Sequence, residues 1–120
     1  MLDMDRSIAA IRAAAAGHRF ISYGQIARAS DVPWSMSVRS QMRPHLEGVC
    51  GRMLNEAGAM ISAIVVNQDN LQTGSLDPQS LSGFADCARR LGLGIVEDRE
   101  AFLREQQRLT FGWGARTASA

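Results

Sequence analysis

The side chains most able to do chemistry gather in one stretch, "RFISYGQIARASDVPWSMSVRSQMRP", from Arg19 to Pro44. It carries Arg19, Arg28, Arg39 and Arg43 against one aspartate, Asp31. A guanidinium is a planar fork of donors that fits phosphate oxygens and guanine edges. Serine hydroxyls bond phosphates and let a backbone approach closely, and a glutamine amide can address base edges. No carboxylate lies between Val32 and Leu46. The chemistry expected here is recognition of a polyanion, double-stranded DNA above all. The contact residues would be Tyr23, Ser35, Ser37, Arg39, Ser40, Gln41 and Arg43.

Other chemistries find no such pattern. His18 and His45 have no partner at ligand spacing, so no metal site is expected. Gly92-Leu93-Gly94 lacks the third glycine and the strand–turn–helix setting of a dinucleotide fingerprint. The chain has no lysine, which a phosphate-binding loop of the nucleotide hydrolases requires. Ser62 has no histidine or lysine nearby in sequence to serve as its base. Glu97-Asp98 sits at a helix start, where carboxylates favour the dipole. Neither a cofactor nor an enzymatic activity is expected.

The bulk composition limits how a polyanion could be held. With 13 basic residues, all arginine, and 12 acidic ones, the formal net charge is only +1. Binding must therefore come from local clustering and not from overall charge. At 120 residues, 46% hydrophobic and 21% charged, one globular domain is expected over 1–113, with a frayed tail over 114–120. Cys50 and Cys87 fall on apolar helical stripes and read as reduced core cysteines of a cytoplasmic protein. No apolar run is long enough for a membrane span, and the start lacks the charged-then-apolar order of a signal peptide.

Hydrophobic spacing and caps then define the elements that must position the arginines. A first helix is expected over Asp5 to Ala16, capped by Asp5 or Asp3 and stopped by Gly17. Its run of small alanines would let another helix approach closely. Phe20-Ile21 is a brief extended entry. Ser22-Tyr23-Gly24-Gln25 forms a capping box, opening a second helix over Tyr23 to Ala29. Ser30 to Pro33 is a turn, and a third helix follows Trp34, turning Val38 and Met42 inward. Pro44 is placed to open a fourth helix, His45 to about Glu56, ended by Gly58. Met60 to Val66 reads as a buried strand, and Asn67 to Gly74 as a turn or hairpin loop. A fifth helix starts at Asp77-Pro78 with Leu81, Phe84, Ala88 and Leu91 inward. Ile95-Val96 is a short extended piece. A last helix spans about Asp98 to Leu109, with Glu100 and Arg104 as a pair, and Phe111 and Trp113 dock back on the core. The fold expected is mainly α with a small β element, about six helices and one or two short strands.

A short helix, a turn and an arginine-bearing helix make a helix-turn-helix, and the strand and loop that follow stand where a wing would. The motif "ISYGQIA", Ile21 to Ala27, resembles the start of the helix-turn-helix in the alkylguanine-DNA alkyltransferases and alkyltransferase-like proteins. The likeness runs in outline from Arg19 to Leu91. It implies a winged helix-turn-helix scaffold; in that family the tyrosine matched by Tyr23 lies near the flipped nucleotide and the arginine matched by Arg39 fills the gap left in the duplex, but the likeness does not extend to base flipping or repair here. The family's Pro-Cys-His-Arg-Val-Val segment aligns on Val65-Val66. Ser62 then stands at the position of the reactive cysteine, and Ala63 and Ile64 at the flanking histidine and arginine. Without a thiolate activated by a histidine, alkyl transfer is not implied.

Two readings follow. One is a non-catalytic DNA-binding protein that uses Tyr23 to Arg43. The other is a protein-interaction regulator or inhibitor on the same scaffold, for example a phage-encoded inhibitor of a bacterial defence nuclease. Its support is the near-zero charge and an apolar tail, Phe111 and Trp113, suited to a protein partner. A homodimer is compatible with either.

Overall fold

The computed structural model describes residues 1–118. Its order is α1 (Met4–Ala16), β1 (Ile21–Ser22), α2 (Tyr23–Ala29), α3 (Met36–Ala57), β2 (Val65–Val66), α4 (Pro78–Arg90) and α5 (Arg99–Ala118). Two 3-10 turns flank β2, at Ile61–Ile64 and Gln68–Asn70. The chain is thus mainly helical, with five α-helices among the described residues where six are expected. β1 and β2 pair in parallel, Ile21 opposite Val65 and Ser22 opposite Val66. The small sheet therefore ties the entry of α2 to the segment after α3. Neither strand forms a hairpin with its own neighbour.

The expected caps form. Asp3 accepts from the Arg6 amide at 2.9 Å and starts α1. The Ser22–Gln25 capping box closes reciprocally: the Gln25 amide donates to Ser22 at 3.1 Å and the Ser22 amide to Gln25 at 2.8 Å. Asp77 caps α4, with proline at its first position.

The missing sixth helix lies in α3. The segments expected on either side of Pro44 are one helix of 22 residues, with the proline inside. Pro44 removes one backbone donor, and the carbonyl that loses it belongs to Ser40. Both residues are exposed, so water can take that bond. A single buried stripe, Val38, Met42, Leu46, Val49, Cys50, Met53 and Ala57, runs through the proline and holds both halves against the core.

The expected strand over Met60 to Val66 is also corrected. Only Val65–Val66 is extended, and Ile61–Ile64 coils as a 3-10 turn. Coiling sends Ile61 and Ile64 into one apolar cluster and Met60 and Ala63 into another. Two buried glutamines of α5 stand in for a strand partner. The Met60 amide donates to Gln106 Oε1 at 2.8 Å, and Gln107 Nε2 donates to the carbonyls of Ala63 at 3.0 Å and Gly74 at 2.8 Å. Ile95-Val96, expected to be extended, forms no regular element.

α5 packs most extensively on α1. At their crossing, a Cβ on Gly114 would stand 2.4 Å from Ala15 Cβ and 2.6 Å from its backbone. The alanine run thus receives the close helix foreseen for it. α5 continues through Gly114 to Ala118, so the tail expected to fray is helical as far as described; Ser119 and Ala120 lie outside the described residues. Trp113 is buried in the main core and Phe111 stacks on His18 and Phe20. The aromatic tail therefore offers no free apolar face.

Candidate nucleic-acid interface

Helix α3 is strongly one-sided in its first two turns. Val38 and Met42 are buried, whereas Ser35, Ser37, Arg39, Ser40, Gln41 and Arg43 are all exposed. The Ser35 side chain caps the helix, accepting from the Val38 amide at 3.2 Å. Gln41 Nε2 donates to Ser37 Oγ at 3.1 Å, and Ser40 Oγ donates to the Ser37 carbonyl at 2.8 Å. These are local surface bonds that a ligand can replace without unfolding anything.

The turn from α2 to α3 runs over six residues, 30–35, longer than the four expected. Asp31 adopts a left-handed φ of 62°, which its short polar side chain tolerates. The extra length carries Trp34 outward.

Two clefts open beside α3 and share Tyr23, Trp34 and Asn67. The larger, of about 800 Å³, lies between the turn and Asn67–Asp69, and Arg28, Asp31 and Asp69 also line it. The smaller, of about 440 Å³, lies between α3 and α4. Arg39, Arg43 and Glu47 form one wall; Ser80, Gly83, Phe84 and Cys87 form the other; Ser62, Val65 and Asp77 also line it. Burial holds the Tyr23 phenol above its usual pKa, and Asp77 adds to this, against a hydrogen bond with Ser80. Tyr23 is thus a neutral donor at the cleft. Asp77, by contrast, is held below the usual carboxylate range, chiefly by the Ser80 amide it caps.

The two arginines of α3 differ. The Arg39 side chain makes no hydrogen bond or ion pair among the described residues, and only its amide is engaged, donating to the Ser35 carbonyl at 2.9 Å. Arg43 reaches Glu47 at 3.7 Å, one turn on, and Glu47 also bonds Arg90 of α4. The carboxylate-free run thus ends one residue too early to leave Arg43 unpaired. Arg39 and Arg43 share the cleft with two carboxylates, Glu47 and Asp77.

Three features escape the sequence reading. Trp34 is 49% exposed and Met36 76% exposed, beside the start of α3. A tryptophan set between a proline and a capping serine was the available signal. The two cysteines, free and buried as expected, converge on Ser62: Cys50 Sγ donates to Ser62 Oγ at 3.0 Å, and Cys87 lines the same cleft as Ser62. No histidine joins them, since His45 Nε2 meets Ser7 Oγ at 2.7 Å and His18 lies against Phe111. Among the described residues, no group of three or more His, Cys, Asp or Glu could hold a metal ion, and no helix is long and apolar enough to cross a membrane. No family model, curated protein or solved structure matches this chain.

Proposed function

We propose that the protein binds double-stranded DNA without catalysis, on a winged-helix-like frame. The exposed face of α3 meets the duplex, with Arg39 and Arg43 on phosphates or guanine edges and Ser37, Ser40 and Gln41 between them. The Asn67–Gly74 loop takes the place of a wing beside Tyr23. The cleft behind Arg39 receives a single base turned out of the stack, against Tyr23 and Trp34. The resemblance of "ISYGQIA" to the alkyltransferases motivates this reading. The observation that carries it is the unpaired Arg39 side chain, exposed on a stretch of α3 with no carboxylate before Glu47, beside a cleft lined by Tyr23, Trp34 and Ser62. The absence of a histidine beside Ser62 and the cysteines favours binding alone.

Titration of a fluorescently labelled duplex, with 2-aminopurine at one position, tests both parts. Salt-sensitive binding is expected, with a rise in 2-aminopurine emission as the base unstacks. Binding without that rise would remove the extruded base, and no binding at low salt would remove the DNA reading.

The regulator reading has one specific support, the adjacent exposed Trp34 and Met36. Aromatic and methionine side chains are enriched at protein interfaces. Capture of a protein partner that Trp34→Ala abolishes, together with no affinity for duplex, would favour it. A homodimer would read two half-sites, and sedimentation with and without duplex measures it.

A further inference from the structure

Trp34 stands on the turn between α2 and α3, 49% exposed. Among the described residues its ring stacks on no other aromatic side chain. It borders both clefts beside α3, together with Tyr23 and Asn67. A planar indole that borders two clefts can offer one face to each. The clefts measure about 800 and 440 Å³. Small-ligand sites run from roughly 300 to 1,000 Å³, so each has room for a nucleobase. Their charges are close to balanced. The larger sets Arg28 against Asp31 and Asp69, and the smaller sets Arg39 and Arg43 against Glu47 and Asp77. Neither balance draws a phosphate inside. Both suit an uncharged base whose amino group donates to a carboxylate, with the phosphates left to the exposed Arg39 guanidinium. The Asn67 amide, common to both clefts, can donate or accept at a base edge.

We infer that the two clefts hold two consecutive unpaired bases, one against each face of Trp34, and that the preferred ligand is duplex DNA interrupted by unpaired, amino-bearing bases. This rests on the proposed meeting of α3 with duplex DNA and extends it from a single turned-out base to an adjacent pair. The energetics set the direction of the preference. Turning a base out of intact duplex costs its stacking and its pairing, and much less where it is already unpaired. Filling two places doubles that cost in fully paired DNA. Each seated base regains stacking on the indole, whatever its sequence. Selection among bases comes from the carboxylates, because aspartate and glutamate accept from the cytosine amino group and find no such donor at a thymine carbonyl. Trp34 is thus the residue that sets the preference for unpaired DNA, and Asp31 and Asp69 select the base in the larger cleft.

Fluorescence anisotropy of the full-length chain with labelled duplexes of equal length and phosphate number tests this. One duplex is fully paired, one carries a single cytosine facing thymine, and one carries two adjacent cytosines facing thymines. Two mismatches should bind about 10-fold more tightly than one, and one more tightly than none. Exchanging the two cytosines for thymines should weaken binding by about 10-fold. Trp34→Ala should bring the paired and mismatched affinities together, and its exposed position keeps the fold out of the comparison. Equal affinity for one and two mismatches, equal affinity for cytosine and thymine, or a preference that survives Trp34→Ala would overturn this inference. Each of those results would still leave a protein that binds duplex. Failure to bind any of the three at low salt would instead remove the DNA reading and this inference with it.

Discussion

Arg39 and Arg43 differ only in their neighbours, and that difference predicts different behaviour on DNA. Each phosphate neutralised contributes ~0.9 to the slope of log affinity against log salt. Arg39 has no ion pair to give up. Arg39→Ala should therefore flatten the slope by ~0.9 and weaken binding about 10-fold at low salt. Over a fourfold rise in salt, wild type should lose ~3-fold more affinity than the variant. Arg43 must first leave Glu47, and an exposed pair of that kind is worth ~0–1 kcal/mol. Arg43→Ala should thus weaken binding less, by about 3-fold. Glu47→Gln has the opposite sign. It releases both Arg43 and Arg90 and removes an anion from the cleft wall. Binding should tighten by about 3-fold. The assay is fluorescence anisotropy of a labelled duplex at several KCl concentrations. An Arg39→Ala slope parallel to wild type, or weaker binding by Glu47→Gln, would refute the reasoning.

Other consequences can be measured without DNA. Gly114→Ala drives a methyl into the backbone of α1 at Ala15 and Ala16, where nothing flexible can yield; a loss of about 1–3 kcal/mol in urea unfolding is expected. Ser22→Ala removes half of the capping box of α2 and should cost ~1 kcal/mol by the same measurement. His45 is lowered from its usual pKa by burial, against the carboxylate of Asp3. The unfolded chain therefore binds the extra proton first. Stability present above about pH 6.5 should decline as pH falls from there towards the folded value, and His45→Gln should flatten that decline in urea midpoints measured across the range.

The local code was legible where it needs only neighbours in sequence. Asp3, the Ser22–Gln25 box, Asp77-Pro78 and the Glu100–Arg104 pair at 3.2 Å all stand where their spacing puts them. The facing of α3 was legible too, because Val38 and Met42 lie four residues apart on one stripe. Pro44 misled, since a proline forbids one backbone bond but does not set the cost of breaking a long buried stripe. The Met60–Val66 run misled because an apolar stretch shows that it is buried without showing how its backbone will be paired.

The sequence by itself determined the caps, the short helix and turn before α3, and which side of α3 carries arginine and serine. These follow from steric and hydrogen-bonding choices made within a few residues. Only the tertiary structure decided that Glu47 also holds Arg90 of α4, that Gln106 and Gln107 serve the Met60–Ala63 backbone, and that Cys50 meets Ser62. Those pairings join groups distant in the chain. They exist because burying the apolar stripes of α3, α4 and α5 together leaves each polar group one place to find its partner.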